Sequence, residues 1–375
     1  MPTLKDVAAL AGVSAATVSL YLNGKSAGRI SQQKQKEIEE ALKQLSYQPS
    51  SASRQLKELG TSPLIYTVAV YWAADPRSAL LGKVMAGIQS SLAKNQMTNC
   101  NIVICPFKPN ELYKEKGLID PKLYNYDAAI IANTAVMDMQ YLDSIMPPIP
   151  VVLLNRRSDQ YSYVSINNQK MGASLADMIA DRGFKSVSVF RSQSPYLAVD
   201  DRVTGFINGC RAKGVDMPNH ALFYTDNSTD GGIQAAAEFL KLSERPDVVF
   251  CDSDSIALGA LYTFYQAGVR IPKDLSVISI GLHHSSTSKC SIPPLTVSEV
   301  PLTQMAEGCM DYVIRALTDK SYAADPEPVH VELETKIIVR ESFQCKGQIL
   351  RSTPNTAPLI CGAYNTQPEG LSTMA

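Results

Sequence analysis

The stretch Thr3-Leu-Lys-Asp-Val-Ala-Ala-Leu-Ala-Gly-Val-Ser-Ala-Ala-Thr-Val-Ser-Leu-Tyr-Leu-Asn23 decides how the start of this chain is read. It describes two short helices joined at Gly12. Thr3 is placed to cap the first helix, and Asp6 answers it three residues on, a capping-box spacing. Gly12 supplies the tight turn, where a side chain would be awkward. Ser14 caps the second helix, whose Val18 and Leu22 stand at i, i+4 and pack inward. Ala15, Ala16, Ser19, Leu20 and Asn23 are left facing out. A short helix with small and polar outward residues can enter the major groove of DNA and touch base edges or phosphates. The residues read as a helix-turn-helix, although helical hairpins in ordinary cores share the helix–Gly–helix pattern.

The residues that follow favour the DNA reading. Ser31 caps a third helix whose Ile38, Leu42 and Leu45 recur at helical spacing and close a three-helix unit. Next comes Tyr47-Gln-Pro-Ser-Ser-Ala-Ser-Arg-Gln-Leu-Lys57, which begins at a proline and has too few apolar residues to hold a helix by itself. Such a segment can wait for DNA and a second chain to order it. Charge is split accordingly: residues 1–60 carry net +3 and the remainder net −4. A mildly basic head on an acidic body suits a DNA-binding module tethered to a sensor.

Thr3-Leu-Lys-Asp-Val-Ala8, the Val13-Ser14, Thr17-Val-Ser19 and Asn23-Gly24 positions, and the Tyr47-x-Pro49 start of the hinge together resemble the lac-repressor (LacI/GalR) family of bacterial transcription regulators. The resemblance runs almost throughout the chain. It implies an N-terminal all-α helix-turn-helix domain and an α/β two-lobed, periplasmic-binding-protein-like (type I) effector domain. The implied limits are 1–47 for the DNA-binding domain, 48–62 for the hinge, 63–343 for the two-lobed dimerisation domain and 344–375 for a flexible tail. Thr3, Ser14, Thr17, Ser19 and Asn23 would sit on phosphates, while Ala15, Ala16 and Leu20 would face the bases. Tyr47, Ser50, Ser53 and Leu56 would bring the hinge to DNA, with Leu56 and its dimer mate wedged into the minor groove. Leu20 stands where many members carry a polar base reader, so thymine-methyl contact and shape readout carry more of the specificity. The loop from Lys25 to Ile30 is slightly long and offers Arg29 to phosphate or base.

From residue 64 the chain alternates apolar strand-like runs, such as Leu64–Trp72, Ala128–Ala132 and Val248–Cys251, with amphipathic helices such as Leu81–Lys94 and Arg202–Lys213. This is a βαβ rhythm and predicts parallel sheets covered on both faces. There are too many units for one sheet, and a break near Asn155–Asn168 suggests two doubly wound lobes. Residues near 283–300 and a terminal strand around Val329–Arg340 are expected to complete the crossing between them. Beyond that, residues 344–375 are rich in Thr, Pro, Gly and Asn.

The family holds its effector in the cleft between such lobes. Asp200-Asp-Arg202-x-x-Gly205-Phe206 resembles its arginine motif, and a planar, always-charged fork suits hydroxyls or a carboxylate. The plainer alternative is a surface arginine paired with Asp200 or Asp201. Elsewhere the cleft departs from the family: Ser253 replaces an Asn, Asn167 and Asn155 replace aspartates, and His283-His284 stand where an Asp pair is usual. These changes favour an anionic or phosphorylated ligand over a plain neutral hexose. Loss of the ligand, or response to a protein partner, remains an alternative. Trp72, Asp75, Arg77 and Leu80 are further candidate wall residues, although a lone tryptophan is more often core.

Other classes find little support. The chain has no apolar run of eighteen residues, which argues against a membrane protein, and the absence of a signal peptide argues against a periplasmic solute-binding protein. Eight scattered cysteines lack C-x-x-C spacing, so no metal is expected. No P-loop, G-x-G-x-x-G or G-x-S-x-G motif occurs, and no cofactor or catalysis is expected. The expectation is a cytoplasmic, nucleoid-associated, homodimeric repressor on a palindromic operator, answering to a small molecule.

Overall fold

The computed structural model describes residues 4–22, 30–44, 65–75, 78–120, 123, 125–282, 285–319 and 327–344. The N-terminal unit holds α1 (Leu4–Leu10), α2 (Ala15–Leu22) and α3 (Gln32–Gln44). Gly12 between the first two has φ +59, a left-handed turn that costs glycine nothing. Ser14 Oγ accepts from the Thr17 amide at 3.1 Å, which satisfies a first-turn donor of α2. Val7, Val18 and Ile38, one from each helix, are fully buried together. Ser31 Oγ accepts from the Lys34 amide at 3.4 Å and starts α3 as expected.

The body is two lobes, each with a six-stranded sheet. Lobe 1 contains β1 (Tyr66–Ala73), α4 (Ser78–Lys94), β2 (Cys100–Phe107), α5 (Lys116–Ile119), β3 (Ala128–Ala132), α6 (Val136–Asp143), β4 (Val151–Leu154) and β5 (Ser162–Ile166). The chain then crosses through α7 (Asn168–Asp181) into lobe 2. Lobe 2 contains β6 (Val187–Ser192), α8 (Leu197–Ala212), β7 (Leu222–Thr225), α9 (Thr229–Leu240), β8 (Val248–Cys251), α10 (Asp254–Gln266), β9 (Ser276–Leu282), α11 (Ser286–Cys290) and β10 (Thr296–Val300). A return through α12 (Leu302–Thr318) gives β11 (His330–Leu333) to lobe 1, and a last crossing gives β12 (Lys336–Ile338) to lobe 2.

The sheet orders are β11-β5-β4-β3-β1-β2 and β12-β10-β9-β8-β6-β7. Every pairing is parallel except β10 with β12. Strand order therefore reverses between β1 and β3 in lobe 1 and between β6 and β8 in lobe 2. Ligand crevices in open α/β sheets form at the carboxyl ends of strands at such points. Strands such as β3, buried at every position, are the continuous apolar runs that two-sided burial requires.

Two expectations need correction. The break at Asn155–Asn168 contains β5, whose Ser-Tyr-Val-Ser-Ile composition hides a strand that is nonetheless mostly buried. The single terminal strand expected over Val329–Arg340 is two short strands in different sheets, separated at Glu334 and Thr335.

Close helix packing positions the cleft. A Cβ on Gly172 of α7 would fall 1.9 Å from the Arg202 carbonyl oxygen, and one on Gly205 of α8 would fall 2.1 Å from that of Gln169. Only glycines let these helices approach so closely, and their approach seats Arg202 beside Asn168.

Candidate functional site

Within α2, Ser14 and Ala16 are exposed, and Thr17, Ser19 and Leu20 are half-buried. Ala15 leans partly on the three-helix core. Ser14 Oγ and Thr17 Oγ1 also contact each other at 2.9 Å, so the cap forms a small polar face at the start of the helix. Six expected DNA-binding residues (Ser14, Ala15, Ala16, Thr17, Ser19, Leu20) thus lie along one short helix and its cap. Thr3, Asn23, Arg29, Tyr47, Ser50, Ser53 and Leu56 lie outside the described residues.

A cavity of about 880 Å³, counted to its open mouth, lies between the lobes at the strand ends. Leu80, Arg202 and Ser253 line it together. Arg202 is 9% exposed and donates from Nε to Asn168 Oδ1 at 2.8 Å. Of the two carboxylates that could have paired with it, Asp200 meets Arg191 at 2.5 Å. Ser253 caps α10, its Oγ accepting from the Ser255 amide at 3.3 Å.

The remaining expected wall residues are placed elsewhere. Trp72, 6% exposed, belongs to the apolar core behind the cavity, between Pro106 and Ala132 in sheet register. Asp75 is half-buried just past β1 and does not line the cavity. Asn167 caps α7, accepting from the Lys170 amide at 2.9 Å, and faces a neighbouring polar hollow of about 730 Å³. His283 lies outside the described residues, and its neighbours Leu282 and Ser285 line the cavity.

Several lining residues, Asn133 and Tyr196 among them, were not singled out from the sequence, while Asn155 was noted there as a cleft position that departs from the family. Asn133 and Asn155 follow β3 and β4 with φ +56 and +57. Asparagine tolerates this left-handed conformation better than most residues, and both asparagines line the cavity. The Asn133 Nδ2 is buried with no hydrogen-bond partner. Beside them Arg156, 6% exposed, donates from Nε and Nη2 to the Thr134 carbonyl at 3.1 and 2.7 Å, and from Nη1 to that of Asn155 at 2.6 Å. Burial pulls its guanidinium down to about 10, against the opposing pull of Asp201 and Asp138, so it remains charged at neutral pH. Its role is to hold the two strand-end turns that present the asparagines. In lobe 2, Asp252 Oδ2 accepts from the Ser192 amide and hydroxyl at 2.8 and 2.7 Å, tying the end of β8 to that of β6.

The described lining therefore offers an arginine beside carboxylates, hydroxyls and amides, set against apolar Val199, Ile280 and Leu302. Arg156 and Arg202 are balanced by Asp252 and Asp254. Such a surface suits a ligand with many hydroxyls and an apolar face. Among the described residues, no group of three His, Cys, Asp or Glu side chains could hold a metal ion. No described helix is long and apolar enough to cross a membrane.

Comparison with known proteins agrees with this architecture. Residues 3–50 match the model for bacterial regulatory proteins of the lacI family, and residues 162–343 match the periplasmic binding protein-like domain. The crystal structure of a LacI family transcription regulator from Clostridium acetobutylicum is 33% identical, with TM-score 0.68, over 73% of this chain and 99% of that one. The chain belongs to the LacI family of transcription regulators. The HTH-type transcriptional repressor PurR of Photobacterium profundum is 24% identical over 92% of this chain and 99% of its own length. A transcriptional regulator CelR–cellobiose complex, 24% identical over 92% of this chain and 100% of that one, shares the fold at TM-score 0.63.

Proposed function

We propose that this regulator is a repressor that works as a homodimer on a palindromic operator and is controlled by a sugar or sugar-derived effector bound between its lobes. It catalyses no reaction. Residues 1–47 read the operator, 48–62 form the hinge, and 63–343 sense the effector; the work is done in the cytoplasm, at the nucleoid. The observation that carries the reading is the cavity itself. It lies where strand order reverses in both sheets, and it holds a buried Asn133 amide without a partner beside Arg202. A buried donor left unmade costs about 1–3 kcal/mol, which a ligand oxygen would recover. The repressor name of the Photobacterium relative and the cellobiose in the CelR complex support the same reading.

Dimerisation draws support from lobe 2. Tyr262 and Tyr265, three residues apart on α10, are 57% and 71% exposed, and Tyr224 on the edge strand β7 is 57% exposed. Tyrosine is enriched at protein interfaces, and a second copy is the partner that a two-fold operator requires.

A thermal-shift screen of the full chain against neutral sugars, sugar phosphates and sugar acids tests the cavity. A ligand at a hundred times its Kd stabilises the fold by about 2.7 kcal/mol. The expected result is a concentration-dependent shift with one class, lost in Asn133→Ala. A shift retained in full by that variant would place the ligand elsewhere. If the sugar phosphates alone act, the effector is anionic and Arg202 is its counter-charge.

A further inference from the structure

The two lobes are tied across the cleft by contacts that the chain makes with itself. Tyr196 precedes α8 of lobe 2, and its hydroxyl donates to the carbonyl of Ala74, just past β1 of lobe 1. The Tyr196 backbone forms an isolated antiparallel bridge with Ala135, also in lobe 1. Its ring is 7% exposed. With Val199, less than one turn further on, it sits in an apolar cluster otherwise built from lobe 1 residues such as Tyr71, Phe107 and Leu112. Three kinds of contact thus join the lobes at one residue, and none of them involves a ligand.

We propose that Tyr196 is a latch that holds the lobes together in the ligand-free protein and sets the resting balance between closed and open forms. Covalent crossings at α7, α12 and the β11–β12 turn allow the lobes to hinge, and the latch is a non-covalent tie at the start of α8, separate from the Asn168 bridge between Arg202 and Asn155. Tyr196 and Val199 also line the cavity. An effector therefore meets the same side chains that hold the lobes closed, and it shifts the balance only as far as it binds one form better than the other. The latch does not depend on which ligand the cavity accepts.

The test uses the full chain without ligand, its emptiness checked by native mass spectrometry. Spin labels on encoded p-acetylphenylalanine replace Lys116 and Asp230, both exposed and lying beyond β2 and β7. Electron–electron double resonance then reads the distance across the cleft. The wild type should show one dominant short separation. Tyr196→Phe keeps the ring in its socket and removes only the hydroxyl. It should raise the ratio of long to short separations by about three- to tenfold, the net value of one hydrogen bond. Tyr196→Ala should raise it further. A wild type dominated by the long separation would overturn the latch, as would a distribution unchanged in both variants.

Discussion

Asn168 holds Arg202 in place: its Oδ1 accepts the Arg202 Nε–H at 2.8 Å in a site where both residues are more than nine-tenths buried. The same side chain donates from Nδ2 to Asn155 Oδ1 at 3.1 Å. One amide thus links the arginine of α8 in lobe 2 to the strand-end turn of β4 in lobe 1. The guanidinium is aimed by a partner on the crossover helix, so its direction depends on how the lobes sit.

Replacing Asn168 by Ala removes both bonds, taking the acceptor from the buried Arg202 Nε–H and one donor from Asn155 Oδ1, at a cost of about 1–3 kcal/mol. We expect a melting temperature lower by several degrees and weaker effector binding, with operator affinity retained at temperatures where the variant stays folded. Arg202→Ala should likewise keep DNA binding and lose the effector response. Fluorescence anisotropy on operator DNA, with and without effector, reads both quantities; an unchanged response in Arg202→Ala would remove that residue from the site.

Gly205→Ala tests the packing that seats the arginine. Its new Cβ would meet the Gln169 carbonyl at 2.1 Å, so α7 and α8 must separate. Backbone cannot swing aside as a flexible side chain can, and overpacking of this kind costs about 1–3 kcal/mol. Chemical denaturation should show that loss, together with a loss of effector binding larger than that of a surface control such as Lys241→Ala.

Ser14→Ala removes the cap of the reading helix. The expected cost is about 0.5–2 kcal/mol, confined to the N-terminal unit. Operator affinity should fall while the melting of the two-lobed body stays put, a separation that calorimetry alongside binding isotherms would reveal.

Asp127 supplies a pH prediction. Half-burial raises its carboxyl above the usual range, although it accepts from the Thr67 amide at 2.7 Å. A folded pKa above the unfolded one means that protonation favours the fold, so stability is lost as pH rises through the folded value. Asp127→Asn keeps an acceptor for Thr67 without the charge. It should be more stable than the wild type at neutral pH, with the gap closing as pH falls below the carboxylate range. A gap constant from pH 3 to 8 would contradict the assignment.

The reading head was legible because its signals are local. Ser14 and Gly12 act within a few residues of themselves, and their cap and turn appear in the structure as read. Arg202 was legible through the spacing to Gly205, which the structure explains as helix contact. Tyr196 and Asn133 were not legible as wall residues, because a side chain at a strand end gives no hint of what the second lobe brings against it; Asn155 was legible only through its departure from the family's aspartate. Trp72 misled for a related reason. Its strand-end position did not show that neighbours such as Leu80 and Leu302, which do line the cavity, pack over the ring and bury it. The polar run Ser162–Ile166 hid β5 because burial of that strand is imposed by its sheet neighbours and not by its own composition.

The central claim is that this chain is a ligand-controlled operator binder, and a genome-fragment selection with the purified full-length protein tests it most directly. Recovered DNA should converge on a palindrome with a deformable centre, bound with steep salt dependence and released or tightened by the effector class found in the thermal screen. Recovery of unrelated fragments at moderate salt, with and without that effector, would contradict the account.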